Sequence, residues 1–169
     1  KAHDLLDKMT YHPSKMKDTQ RGYIDWVKQR PCARKRGIGT PLPFDKDWVI
    51  ESLSDSTIYQ MYYLLAKEIN TKEISAERLL PEVFDYVFLN IGKKEEVAQL
   101  SKIDSTSLEN MKKQVSYWQS FDFRYTAGAH LSNHLSFLIY HYALIFPQEL
   151  HPKCVTIGGM LIKDGQKIS

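Results

Sequence analysis

The run Phe121-Asp122-Phe123-Arg124-Tyr125-Thr126-Ala127-Gly128-Ala129, the apolar stretch 130–146, and then Cys154-Val155-Thr156-Ile157-Gly158-Gly159 decide the fold. Residues 121–126 alternate and are rich in aromatics, which is the pattern of a strand. Ala127-Gly128-Ala129 is a tight turn of small residues. Residues 130–146 form the most apolar helical stretch of the chain, and Pro147 stops it. Residues 154–157 are a second strand, broken by Gly158-Gly159 and resumed by Met160-Leu161-Ile162. Lys163-Asp164-Gly165-Gln166 then carries the Asp-Gly signal of a hairpin turn. Strand, helix, strand is one βαβ unit, with parallel strands and a right-handed crossover expected. Ligands of such sheets sit beyond the carboxyl ends of the strands. Here those ends are residues 126–129 and 157–160, whose small side chains let a flat ligand approach the backbone.

Outward from this unit the chain reads as mostly helical. Leu5, Leu6 and Met9 give residues 2–9 a helical face, and Pro13-Ser14 open a second helix carrying Tyr23, Ile24, Trp26 and Val27. Residues 32–43 hold two glycines and two prolines within seven positions, so they read as a loop, and it bears the cations Arg34, Lys35 and Arg36. Trp48-Val49-Ile50 reads as a short strand. Asp55 and Ser56 are N-cap types ahead of a helix at 57–69, where Ile58, Met61, Tyr62, Leu65 and Ile69 share a face. Residues 75–88 are one or two helices with Pro81 in a first turn. Residues 90–104 read as a charged surface stretch, and 107–118 as a helix. The expected class is α/β: a short parallel sheet with mostly helical surroundings.

Length and composition bound the rest. The 169 residues, 43% hydrophobic and 25% charged, describe a globular chain that forms one domain across 1–169. No apolar run approaches the roughly 20 residues that cross a bilayer. A net charge of +3 permits a nucleic-acid partner without requiring one. Cys32 and Cys154 are far apart and form no C-x-x-C pair, which argues against a disulfide framework and a cysteine zinc site. The expected setting is a reducing cytoplasm. The opening Lys1-Ala2-His3 and the polar close Asp164 to Ser169 read as a piece of a larger polypeptide.

His130 and His134 stand at i and i+4, with Asn133 beside them and His141 two turns on. Three readings stay open for this stripe. Two histidines could ligate a metal, although neither a following Glu nor a third ligand is apparent. They could be polar groups satisfied within the fold. With a helix N-terminus they could receive a phosphate. Arg34-Lys35-Arg36 is either solvated charge or a contact to a nucleic-acid backbone. The Tyr59 hydroxyl could meet a ligand or water, and Ser56 could line a pocket at its helix start. No nucleophile elbow, P-loop or G-x-G-x-x-G occurs in the chain.

The strings themselves add a resemblance. Residues 32–43, followed by Trp48-Val49-Ile50-Glu51-Ser52-Leu53-Ser54-Asp55-Ser56-Thr57-Ile58-Tyr59, closely resemble the archaeal and eukaryotic cytosolic leucyl-tRNA synthetases. Asp122-Phe123-Arg124, Asn133-His134-Leu135 and Gly159-Met160-Leu161 follow in the family's order. Lys167-Ile168-Ser169 is similar to the start of the KMSKS signature, with Ile for Met.

The resemblance implies the second half of a class I synthetase Rossmann catalytic core, from just after the editing insertion to the start of the KMSKS loop. It implies ATP and Mg2+ as cofactors. It implies leucine, ATP, tRNA(Leu) and the remainder of a synthetase chain as partners, in a monomeric, cytoplasmic protein without a membrane. By the same resemblance Ser56, Tyr59 and His134 shape the leucine pocket, and His130, Gly159 and Met160 lie at the ATP side. Lys167 is the catalytic lysine of the mobile loop, and Arg34, Lys35 and Arg36 touch tRNA. Ala129 stands where relatives commonly carry an acidic ribose contact, and Gly158 stands where the eukaryotic pattern has Asn. The alternative is a non-catalytic synthetase paralogue or tRNA-binding module that keeps the shell without the chemistry.

Overall fold

The computed structural model describes the chain except Pro31, Met160 and Ser169, and for Lys167 it describes only the backbone. In chain order the elements are α1 (Ala2–Lys8), β1 (Thr10–His12), α2 (Met16–Val27), β2 (Ala33–Arg34), β3 (Val49–Ile50), α3 (Ser52–Thr71) and α4 (Pro81–Leu89). There follow α5 (Lys94–Ser101), α6 (Ser105–Trp118), β4 (Arg124–Ala127), α7 (His134–Ile145), β5 (Cys154–Gly158), β6 (Ile162–Lys163) and β7 (Gln166–Lys167). They group into two compact units. The first holds residues 1–57, 121–144 and 152–169, and the second holds 58–120 and 145–151.

The first unit is built on a three-stranded parallel sheet of order β1-β5-β4. The expected βαβ unit is present, with α7 joining two parallel neighbours. β5 alternates, burying Val155 and Ile157, as a half-buried strand should. β1 is an element that the sequence did not disclose. Three residues are too few for a legible period, yet Thr10, Tyr11 and His12 pair with Cys154, Val155 and Thr156. The stretch 121–126 becomes regular only at Arg124. Residues 128–130 make one 3-10 turn, so α7 begins at His134 and not at His130.

Buried side chains run all the way round the first turns of α7, from His134 to Ile139, as expected of a helix inside a core. Gln20 of α2 is fully buried, and its Nε2 donates to Leu131 O (3.0 Å) and to Ser136 Oγ (2.8 Å). The Tyr140 hydroxyl donates to Ile24 O at 2.8 Å. These bonds tie α2 to the crossover helix at both ends of the contact.

Residues 32–43 are less irregular than their glycines and prolines predict. β2 pairs antiparallel with β3, and Pro41 bridges Val49. α3 starts at Ser52, ahead of the expected caps, because Glu51 does the capping. Its carboxylate accepts from the Ser52 hydroxyl and the Leu53 N–H, and its carbonyl accepts from the N–H groups of Ser54 and Asp55.

The second unit is helical. Met61, Leu65 and Ile69 of α3 are buried together with Val83, Tyr86, Val87, Leu108, Met111 and Val115. Pro81 sits in the first turn of α4, as expected. Residues 90–104 lie mostly at the surface, as expected, and α5 forms there, burying Val97. The charged positions solvate one side of this helix while the few apolar ones reach the core. The Tyr86 hydroxyl donates to Glu109, and Lys112 stands 4.1 Å above the Tyr86 ring. Burial, and then Glu109, push the Tyr86 hydroxyl up to about 12. An apolar cavity of about 280 Å3 opens between Met61, Leu65, Phe84, Phe88 and Phe146.

Candidate active site

Register creates the site. Thr126 lies beside Ile157, and Ala127 beside Gly158, so both strands of the βαβ unit end together. Side chains alternate along a strand, which sends Arg124 and Thr126 to one face of β4 and Tyr125 to the other. Arg124 and Thr126 meet the segment that returns over them: Thr126 Oγ1 is 2.5 Å from His130 Nδ1, and Arg124 is 2.6 Å from His134 Nε2. On the opposite face Tyr125 leans across Gly158. A Cβ at Gly158 would fall 1.8 Å from the tyrosine oxygen, whereas one at Gly159 would meet nothing within 4 Å. The chain is therefore covered at the first glycine and open at the second.

His134 is held on three sides. Its N–H donates to Asn133 Oδ1, its Nδ1 lies 2.5 Å from Ser56 Oγ, and its Nε2 faces the Arg124 guanidinium. A guanidinium can only donate, so Nε2 is the acceptor and the neutral ring carries its proton on Nδ1. That N–H donates to Ser56 Oγ, and the Ser56 hydroxyl donates onward to Leu53 O at 2.8 Å. Burial, and after it the positive Arg124, lower the imidazole to about 4. His130 stands edge-on, with ring centroids 6.3 Å apart.

A second serine–histidine pair sits two turns along α7. His141 Nδ1 donates to Phe137 O (2.6 Å), which leaves Nε2 to accept from buried Ser54 at 2.9 Å. His134 and His141 are thus held by hydrogen bonds within the fold, while His130 is exposed and contacts Thr126. Neither Ser54 nor Arg124 was singled out from the sequence. The signal available for Arg124 was its alternation with Thr126 on β4.

The three consecutive cations diverge. Arg34 turns toward Glu51 (3.8 Å) and donates to Ile38 O, Lys35 lies 5.0 Å from the Trp48 ring centre, and Arg36 is exposed. Tyr59 belongs to the second unit, is half-exposed, and packs edge-on against Tyr63. The hairpin after Gly159 forms as expected, with Asp164 and Gly165 both at positive φ, and Lys167 lies in its second strand. Met160 lies outside the described residues.

No family model matches the chain. Curated relatives do. The chain is 50% identical over 165 residues to the leucine–tRNA ligase of Staphylothermus marinus, which takes in 98% of the chain and 17% of that protein. It is 43% identical to the leucine–tRNA ligase of Methanococcus maripaludis and 42% identical to that of Methanocaldococcus jannaschii, each over 99% of the chain and 18% of the relative. The chain is homologous to one segment of the leucine–tRNA ligases. It spans less than a fifth of the length of these relatives. Within the chain, the paired strand ends and the Ser56–His134 contact both belong to the first unit.

Proposed function

We propose that the chain is the second half of a class I catalytic core that activates leucine with ATP and passes it to tRNA(Leu). The observation that carries this reading is identity of 40–50% along nearly the whole chain to leucine–tRNA ligases. The parallel strand ends, built from small residues, support it. In the reaction a leucine carboxylate oxygen attacks the α-phosphorus of ATP and pyrophosphate leaves. The tRNA terminal hydroxyl then displaces AMP from the leucyl-adenylate. Such transfer depends on positioning and on cations around the phosphates more than on covalent help.

Ser56 and His134 line the leucine side in this reading, and Tyr59 holds its place there from the resemblance alone. His130 and the open backbone at Gly159 stand on the ATP side in this reading, and Met160 is assigned there from the resemblance alone. Lys167 steadies the phosphates. The tRNA contact falls best to Arg36 and Lys35, since Arg34 is turned toward Glu51. Magnesium finds no donor set here: among the described residues no three His, Cys, Asp or Glu side chains come together, and Ala129 offers no carboxylate.

A non-catalytic paralogue is the alternative, which identity of 40–50% along nearly the whole chain to leucine–tRNA ligases does not favour. Leucine-dependent ATP–pyrophosphate exchange by the full-length protein separates the two. Exchange with leucine, and far weaker exchange with isoleucine, valine or methionine, is expected. No exchange with any of them would leave the paralogue.

A further inference from the structure

Arg124 stands on β4 and reaches His134 at the start of α7. Its guanidinium donates to Nε2 at 2.6 Å, and the chain of donors runs on through His134 Nδ1–H to Ser56 Oγ and from the Ser56 hydroxyl to Leu53 O. Every donor in this row has a single direction available. Reversing either end bond would make a guanidinium accept or a carbonyl donate, and reversing the middle one would leave the imidazole without its ring proton. We propose that Arg124 is a positioning residue of the leucine pocket, fixing His134 as the neutral Nδ1–H tautomer and so aiming the Ser56 hydroxyl away from the substrate. The inference rests on the leucine-activating reading of the site.

Two consequences follow from the geometry. The wall formed by His134 and Ser56 spends its hydrogen-bonding capacity inside the protein, so it meets an aliphatic side chain without stranding a polar group. The ring also stays uncharged. The charged and titratable groups facing it are Arg124 from β4, His130 from the turn before α7 and His141 from α7 itself, while α3 presents the neutral Ser56 hydroxyl. All of the titratable ones oppose protonation, and burial acts in the same direction.

The test uses the full-length protein with Arg124→Met, which keeps the bulk and removes the donor and the charge, and Arg124→Lys, which keeps the charge and one donor. Leucine KM and kcat are measured by pyrophosphate exchange from pH 3.5 to 8. Long-range 15N–1H spectra of histidine-labelled protein, assigned with His134→Gln, report the His134 tautomer. The Met variant is expected to raise leucine KM about tenfold or more, the scale of one hydrogen bond to a charged group, with a smaller change in kcat. Its KM should also climb on acidification at a pH about one unit above the wild type. The Lys variant should recover part of the KM and keep the acid limb near that of the wild type. A Met variant with a superimposable pH profile and an unchanged tautomer would overturn the assignment, as would a Lys variant no better than Met. A wild type that activates no amino acid yet shows an Arg124-dependent Nδ1–H tautomer would remove the leucine reading and leave the positioning role standing.

Discussion

His134 shows how much one side chain's surroundings decide. Its imidazole titrates at about 4 in the folded protein, against an ordinary value of 6.5. Between those values the unfolded chain takes up a proton that the folded chain refuses. Stability is therefore level above pH 6.5 and falls as pH drops from 6.5 to 4. The loss is on the order of 3 kcal/mol. His134→Gln should remove this slope, which thermal melts of wild type and variant at pH 7 and pH 4.5 will reveal. An equal drop in both proteins would assign the acid sensitivity to other groups. The sequence put His130 and His134 one turn apart, which is where their interest was legible. It could not give the tautomer, because Arg124 approaches from ten residues away and Ser56 from 78.

At the level of elements, caps and pairings do more than propensity. Asp104 closes the N-terminus of α6, accepting from the Ser107 N–H at 2.9 Å and its hydroxyl at 2.7 Å. Asp104→Ala should cost about 1 kcal/mol, read as a lower urea midpoint together with faster amide exchange at Ser107. The same chemistry explains where α3 begins. Asp55 and Ser56 have the right residue types, but Glu51 reaches the first turn before them, and Ser56 is used by His134 instead. Residues 90–104 lie mostly at the surface, as their charge announces, but they also hold α5. Their charge is conspicuous in the sequence, while Val97 and Ile103, each nearly fully buried, are too sparse to announce a helix.

For the molecule as a whole, the relevant fact is proportion. The chain matches 17–18% of the leucine–tRNA ligases it resembles, so the 169 residues hold one side of the proposed reaction. These residues alone should give no leucine-dependent pyrophosphate exchange, while the full-length protein does. Exchange by the isolated segment at a comparable rate would show that Lys167, His130 and the Gly159 edge suffice without the rest. A further check is the basic loop. Arg36→Ala should raise the KM for tRNA several-fold and leave leucine activation unaltered, since Arg36 is exposed and phosphate contacts act on affinity.

Period and punctuation settled the βαβ unit from sequence alone. A strand of alternating aromatics, a small-residue turn and a long apolar helix stopped by proline admit few other arrangements, and the parallel register of Thr126 with Ile157 followed. The quoted motifs likewise fixed the homology. Tertiary structure alone decided the third strand, Thr10–His12, which is extended because the free edge of β5 offers it hydrogen bonds. It also decided the row from Arg124 to Leu53, because hydrogen bonds between residues distant in the chain leave no period behind. They depend on which faces the packed core brings together.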